Sequence, residues 1–308
     1  KCADVARRVV CAADREPLVG GRTGAARRPY PYQRVGMVLT LHGLALGLYV
    51  AGAAGLAAAL AGGRASAPRW CMAVIAGGVL CHGAALAAFA SEFGELPLVG
   101  IAPSLSSLGF VIAVLATGAG GLGEGRPLGL VLVPLVALLV AVALALGMAP
   151  AGEELAFRGP WFALHVVLGF LSDAGLAVAF AAGLLYLLQF RELKGKRFGR
   201  MFRFFPSLGT LDRVGRRALA IGFTALSLAL ALGWAWTIRF QHSFAVRDPD
   251  VIWGLLTWVV FLAALAARRA GGAARDRRGA LASVIGFVIV VLMYVVLRLS
   301  MAEGRVFL

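Results

Sequence analysis

Long apolar runs alternate with short charged or glycine-rich stretches eight times along the chain. They cover about residues 36–61, 70–90, 101–119, 128–148, 161–189, 214–238, 251–267 and 279–299. A helix needs roughly 20 mostly apolar residues to cross the hydrocarbon layer of a bilayer. Backbone N–H and C=O groups find no water in lipid, so a spanning run closes its hydrogen bonds within its own helix. The pattern predicts an all-α, polytopic membrane protein, a bundle of about eight transmembrane helices. Residues 1–36 are polar and arginine-rich and carry no helical period. They are expected to form a poorly ordered extension, followed by a transmembrane domain over 37–300 and a short external tail over 301–308.

Composition agrees with the pattern. Hydrophobic residues make up 60% of the 308 positions, and the mean hydropathy is +0.86. The net charge of +15 would suggest nucleic acid in a soluble chain. Here the cations sit between apolar runs, where they set topology, and no nucleic-acid partner is expected. The stretch after the fifth run carries Arg191, Lys194, Lys196, Arg197, Arg200, Arg203, Arg213, Arg216 and Arg217, and the stretch after the seventh carries Arg268, Arg269, Arg275, Arg277 and Arg278. Both belong on the cytoplasmic side, as does the stretch with Arg64 and Arg69. The acidic connections with Glu92, Glu95, Glu153 and Glu154 then face outward. Cys2, Cys11, Cys71 and Cys81 form no CxxC pair and imply no disulfide framework.

The histidines are the candidate chemistry. His42, His82, His165 and His242 all fall toward the outer face on this topology. Polar side chains within spans are costly and mark functional positions or helix–helix hydrogen bonds. His165 follows Pro160 at the start of a helix, and a neutral imidazole there suits haem iron as an axial ligand. His42 and His82 lie at similar depth if their helices pair antiparallel, and the pair has two readings: a shared iron or a hydrogen bond between helices. His242 lies in the polar stretch Gln241–Trp258, QHSFAVRDPDVIWGLLTW, which runs into an apolar helix. Aromatic neighbours and Arg239 and Arg247 give that stretch walls for a porphyrin and cations for its propionates. An ordinary interfacial aromatic belt is the competing reading. Asp173, deep in the fifth run, has no role readable from its surroundings.

Four stretches carry a resemblance. FALHVVLGFL with GLLYLLQFRELK at 162–194, PSLGTLDRVGRRALAIGF at 206–223, DPDVIWGLLTW at 248–258 and GALASVIGFVIVVLMYVV at 279–296 resemble the cytochrome c assembly protein family, of the CcsA and HemX-like type. The likeness covers roughly residues 160–300. GELPLVGIAPSLSSLGFVIAVLA, from Gly94, also resembles the family's outer loop into its third helix. The resemblance implies a haem-handling membrane protein whose Trp-rich external segment docks haem b while histidines on flanking helices ligate the iron. His165 falls on one external ligand, and Asp248, Trp253 and Trp258 fall on the end of the docking segment. The sequence departs from the family where Ala245 and Arg247 replace aromatic residues. Ala266 lies close to the position of a family histidine, and MAEGRVFL lacks the external histidine expected after the last helix. His242 is the candidate second iron ligand, with His42 and His82 as further candidates for the cofactor.

The resemblance implies a protein that binds or presents haem at the outer face during cytochrome c maturation, as a component of a haem lyase. Its partners would be the bilayer, haem, apocytochrome c and other cytochrome c assembly membrane proteins, in a bacterial-type inner membrane. The alternative is a non-catalytic HemX-like accessory protein linked to haem biosynthesis.

Overall fold

A computed structural model describes residues 32–64, 66–121, 125–150, 159–196, 199–240, 249–268 and 275–302. Its helices are α1 (Tyr32–Ala61), α2 (Arg69–Phe93), α3 (Ile101–Gly121), α4 (Gly129–Leu146), α5 (Pro160–Lys194), the short α6 (Arg200–Phe204), α7 (Leu208–Phe240), α8 (Pro249–Ala267) and α9 (Arg275–Ala302), with a 3₁₀ turn at Arg126–Leu128. No strand occurs among the described residues. The protein is an all-α, multi-pass membrane protein. Among the described residues seven helices are long and apolar enough to cross a bilayer, and α8 adds a shorter apolar stretch, Val251–Ala267. At 1.5 Å per residue, the 19 residues of α8 reach about 28 Å, close to the hydrocarbon thickness. Helix α1 begins at Tyr32, inside the segment expected to be an extension; residues 1–31 and 303–308 lie outside the described residues.

Local chemistry sets the helix ends. Pro160 occupies the first turn of α5, where its missing N–H costs nothing. Gly94 ends α2 in the left-handed region at φ 66°, with its N–H donated to the Ala90 carbonyl. Ser207 precedes α7, and its hydroxyl accepts the Thr210 N–H at 3.2 Å, which caps that helix. Large apolar side chains such as Leu80, Leu228, Val259 and Leu292 are exposed along the helices. With lipid as the solvent this is the expected outward face.

Glycine allows the two longest helices to pack closely. A Cβ at Gly175 of α5 would stand 3.0 Å from the Ala218 carbonyl oxygen and 3.0 Å from the Gly222 Cα of α7. Both are backbone atoms and cannot swing aside. Phe261 of α8, fully buried, lies on the other side of Gly222. Small residues at a membrane helix interface let van der Waals packing replace the missing hydrophobic drive. Gly175→Leu is therefore expected to cost about 1–3 kcal/mol or more and to lower the unfolding temperature in detergent. A Gly175→Leu protein as stable as wild type would contradict this packing.

Candidate functional site

Two groups of polar side chains sit toward the end of the bundle opposite the arginine-rich loops. The first joins α1, α2 and α3. His42, His82 and Ser106 are fully buried, and both imidazole Nε2 atoms lie 2.9 Å from the Ser106 Oγ. His42 Nδ1 is 2.8 Å from the Val38 carbonyl oxygen. Tyr49 Oη is 3.3 Å from His82 Nδ1, and the two imidazole rings meet edge to face at 5.5 Å.

A carbonyl only accepts, so His42 Nδ1 carries a hydrogen. In neutral rings this fixes the rest of the chain. Ser106 donates its hydroxyl to His42 Nε2, His82 donates its Nε2–H to Ser106, and Tyr49 donates to His82 Nδ1. Every ring nitrogen of the pair is thus engaged within the protein. The two histidines do lie at one depth, as antiparallel pairing predicted, and the contact between them is a serine-mediated hydrogen bond. Nothing in the sequence marked Ser106 or Tyr49, because one serine among many small residues reads as packing. Ser106→Ala strands two buried nitrogens and is expected to cost about 1–3 kcal/mol, read as a drop in thermal stability of the purified protein. A neutral effect would contradict the bonding order.

The second group surrounds His165 on α5. Its Nδ1–H donates to the Ala229 carbonyl of α7 at 2.8 Å. The ring lies on Gly233, where a Cβ would stand 2.8 Å from His165 Cε1. Glycine at 233 is what permits that approach. In the neutral ring the Nδ1 hydrogen leaves Nε2 as a bare lone pair, and it has no hydrogen-bond partner among the described residues. Trp161, one turn before it, is half-exposed and donates its indole N–H to the Leu232 carbonyl at 3.1 Å. Leu164 and Trp234 present further exposed apolar surface beside it.

Trp253 and Trp258 lie on α8, across α7 from His165. Gly254 approaches Leu230, the neighbour in sequence of Ala229, so Trp253 is near the depth of His165. Trp253 meets Tyr294 edge to face at 5.6 Å, and its buried indole N–H has no hydrogen-bond partner among the described residues. Trp258 donates to Ser227 Oγ at 3.1 Å and rests on Phe223. His242 and Asp248 lie outside the described residues. Asp173 makes no hydrogen bond or ion pair among the described residues. No group of three or more metal-ligating side chains occurs among them. The site residues therefore divide: His42 with His82 on α1–α3, and His165 with Trp253 and Trp258 around α7.

At the opposite, basic end, Arg268 after α8 is almost fully buried. Its Nη1 donates to Asp212 Oδ1 of α7 at 2.6 Å, and its Nη2 to Ser283 Oγ of α9 at 3.2 Å. Sequence reading placed Arg268 among the topology-setting cations; the structure makes it a buried tie between three helices.

Residues 80–303 match the sequence profile of the family described as cytochrome C assembly protein. The chain belongs to the cytochrome c assembly protein family. The match takes in α3 and α4 and most of α2, well beyond the 160–300 of the resemblance, and it holds His82, His165, His242, Trp253 and Trp258 but not His42. The chain is 28% identical over 151 residues to the cytochrome c biogenesis protein CcsA of Chlamydomonas reinhardtii, covering 48% of this chain and 40% of that one. It is 29% identical over 154 residues to CcsA of Guillardia theta, covering 45% and 51%. It is 36% identical over 85 residues to CcsA of Nostoc punctiforme, covering 28% and 24%. The chain thus spans about half or less of the length of these relatives.

Proposed function

We propose that this family member handles haem in cytochrome c maturation, at the membrane face opposite its basic loops, and that His165 would hold the haem iron. The supporting observation is the state of that imidazole. Its Nδ1–H is spent on the Ala229 carbonyl and its Nε2 lone pair is left over. This is how iron-ligating histidines are held: the backbone acceptor fixes tautomer and ring orientation and raises the basicity of the other nitrogen. The fit extends to the surroundings, where Trp161, Leu164 and Trp234 offer apolar surface to a porphyrin.

His242, two residues beyond the end of α7 in the sequence, would be the second residue to hold the iron. Asp248, Trp253 and Trp258 are assigned to the docking segment. His42 and His82, whose nitrogens satisfy one another through Ser106, are assigned to holding α1, α2 and α3 together. The cofactor is haem b, and it supplies the thioether-forming chemistry together with the cysteines of apocytochrome c. The chain's own residues would bind and orient it: His165 would hold the iron, Gly233 leaves room for the imidazole ring, and the tryptophans would exclude water. The membrane is a bacterial-type inner membrane, with the basic loops in the cytoplasm and other cytochrome c assembly proteins as partners.

The test is the absorption spectrum and haem content of the detergent-purified protein after haem-sufficient growth. A low-spin b-type spectrum is expected when two histidines ligate. Wild-type protein that holds no haem, even after addition of free haem, would overturn this reading and leave the HemX-like accessory role.

A further inference from the structure

At the basic end of the bundle, three connections meet around a cavity of about 260 Å³. Its walls come from the α1–α2 turn (Ser66, Ala67), the 3₁₀ turn before α4 (Arg126, Pro127) and the α6–α7 junction (Arg203, Phe204, Phe205, Pro206, Ser207, Thr210). It lies apart from His165 and from the α1–α3 histidines. We propose that this cavity binds the phosphate of an anionic phospholipid headgroup.

The chemistry of the lining selects an anion. Among the described residues two guanidinium groups and three hydroxyls line the cavity, and no carboxylate does. Among the described residues Arg203 has no hydrogen-bond or ion-pair partner. Arg126 donates only its Nε–H, to the Gly120 carbonyl at a long 3.4 Å. Two like charges with unspent donors at one cavity repel each other until an anion bridges them. Arginine's fork of N–H groups matches the geometry of phosphate oxygens. The start of α7 also contributes, since Ser207 and Thr210 are its cap and first turn and the positive end of the helix dipole lies there.

The wall is held in place. Arg200 of α6 donates to the Ala61 carbonyl at the end of α1 at 2.5 Å. Glu192 of α5 accepts the Phe202 N–H at 3.0 Å. Phe204 and Phe205, which line the cavity, are themselves buried.

The location favours a lipid over a soluble phosphate. The cavity is lined by the connections at the ends of helices long and apolar enough to span a bilayer, at the end where loop arginines are gathered, and headgroups collect at such helix ends. Basic pockets between spanning helices on that side receive anionic headgroups. Both sources share the phosphate, and only the lipid brings acyl chains to the helix ends.

The experiment uses the full chain in detergent. Bound phospholipid is extracted and quantified by class, and binding of phosphatidylglycerol, phosphatidylethanolamine and inorganic phosphate is then titrated. Arg126→Gln/Arg203→Gln is compared with Arg217→Gln/Arg278→Gln, which removes the same charge from exposed positions outside the cavity. Wild type is expected to retain phosphatidylglycerol over phosphatidylethanolamine. The cavity double variant is expected to weaken phosphatidylglycerol binding about ten-fold or more, the loss that goes with one charge-assisted hydrogen bond, and the control double to stay within about two-fold. Thermal unfolding in lipid-free detergent must match wild type for each variant, and the two single variants replace the cavity double if it does not. Equal loss in the control double, no preference for the anionic lipid, or inorganic phosphate binding as tightly as the lipid would each overturn the proposal.

Discussion

On the proposed assignment, His165→Ala is expected to lower the haem content of the purified protein by roughly ten-fold or more, because groups that only orient a metal ligand already cost 10–100-fold when removed. The loss is expected with the fold intact. The side chain is only half-buried, and its one hydrogen bond among the described residues is to the Ala229 carbonyl, which water can satisfy at this end of the bundle. His42→Ala is the informative comparison. It breaks the hydrogen-bonded chain through Ser106 and is expected to lower stability while leaving haem per folded protein unchanged. Gly233→Ala separates positioning from ligation. Its methyl group would press on the ring at 2.8 Å, so the ring must shift. The expected result is a changed spin state or weaker retention, with normal protein yield. Haem retained by His165→Ala but lost in both His42→Ala and His82→Ala would move the site into the α1–α3 group.

Arg268→Met is expected to destabilise the bundle by about 3–5 kcal/mol, the cost of leaving one partner of a buried ion pair alone. The side chains of Arg268 and Asp212 are 7% and 11% exposed, so water compensates little. Asp212 keeps only the distant Arg216, at 3.8 Å on the same helix. Asp212→Ala should be at least as damaging, since it buries an unpaired guanidinium against Gly279, whose missing side chain makes room for it. Thermal unfolding of the purified variants measures both. The double variant Arg268→Met/Asp212→Leu should regain most of the loss, because an apolar pair carries no desolvation penalty. Single variants with wild-type unfolding temperatures would show that the pair contributes nothing.

The spans were readable because lipid forces a simple code. Apolar runs of bilayer length have one stable backbone solution, and all eight appear as helices. The ends were less readable. Helix α7 begins at Leu208, six residues before the apolar run expected from 214, because its polar first turns continue the helix past the lipid. Helix α5 extends to Lys194 for the same reason. Side-chain partners across helices were the hardest to read. Asp212 and Arg268 are far apart in sequence, and each on its own looks like a loop charge. The depth of His42 and His82 followed from counting along antiparallel helices. Their shared bond to Ser106 did not, since it depends on how α3 is rotated. The tautomer of His165 was equally hidden, because it is set by a carbonyl of α7 and by the absence of a side chain at Gly233. His242 and Asp248, prominent in the sequence, lie outside the described residues.

The most direct test of the central claim is rescue of His165→Gly by free imidazole. This substitution removes the ring and leaves its place beside Gly233 open. If His165 Nε2 is the iron ligand, the purified variant takes up haem poorly, and added imidazole restores uptake and the low-spin absorption spectrum of wild type. If His165→Gly binds haem with the wild-type spectrum and affinity without imidazole, the iron is held elsewhere and the assignment of His165 is wrong.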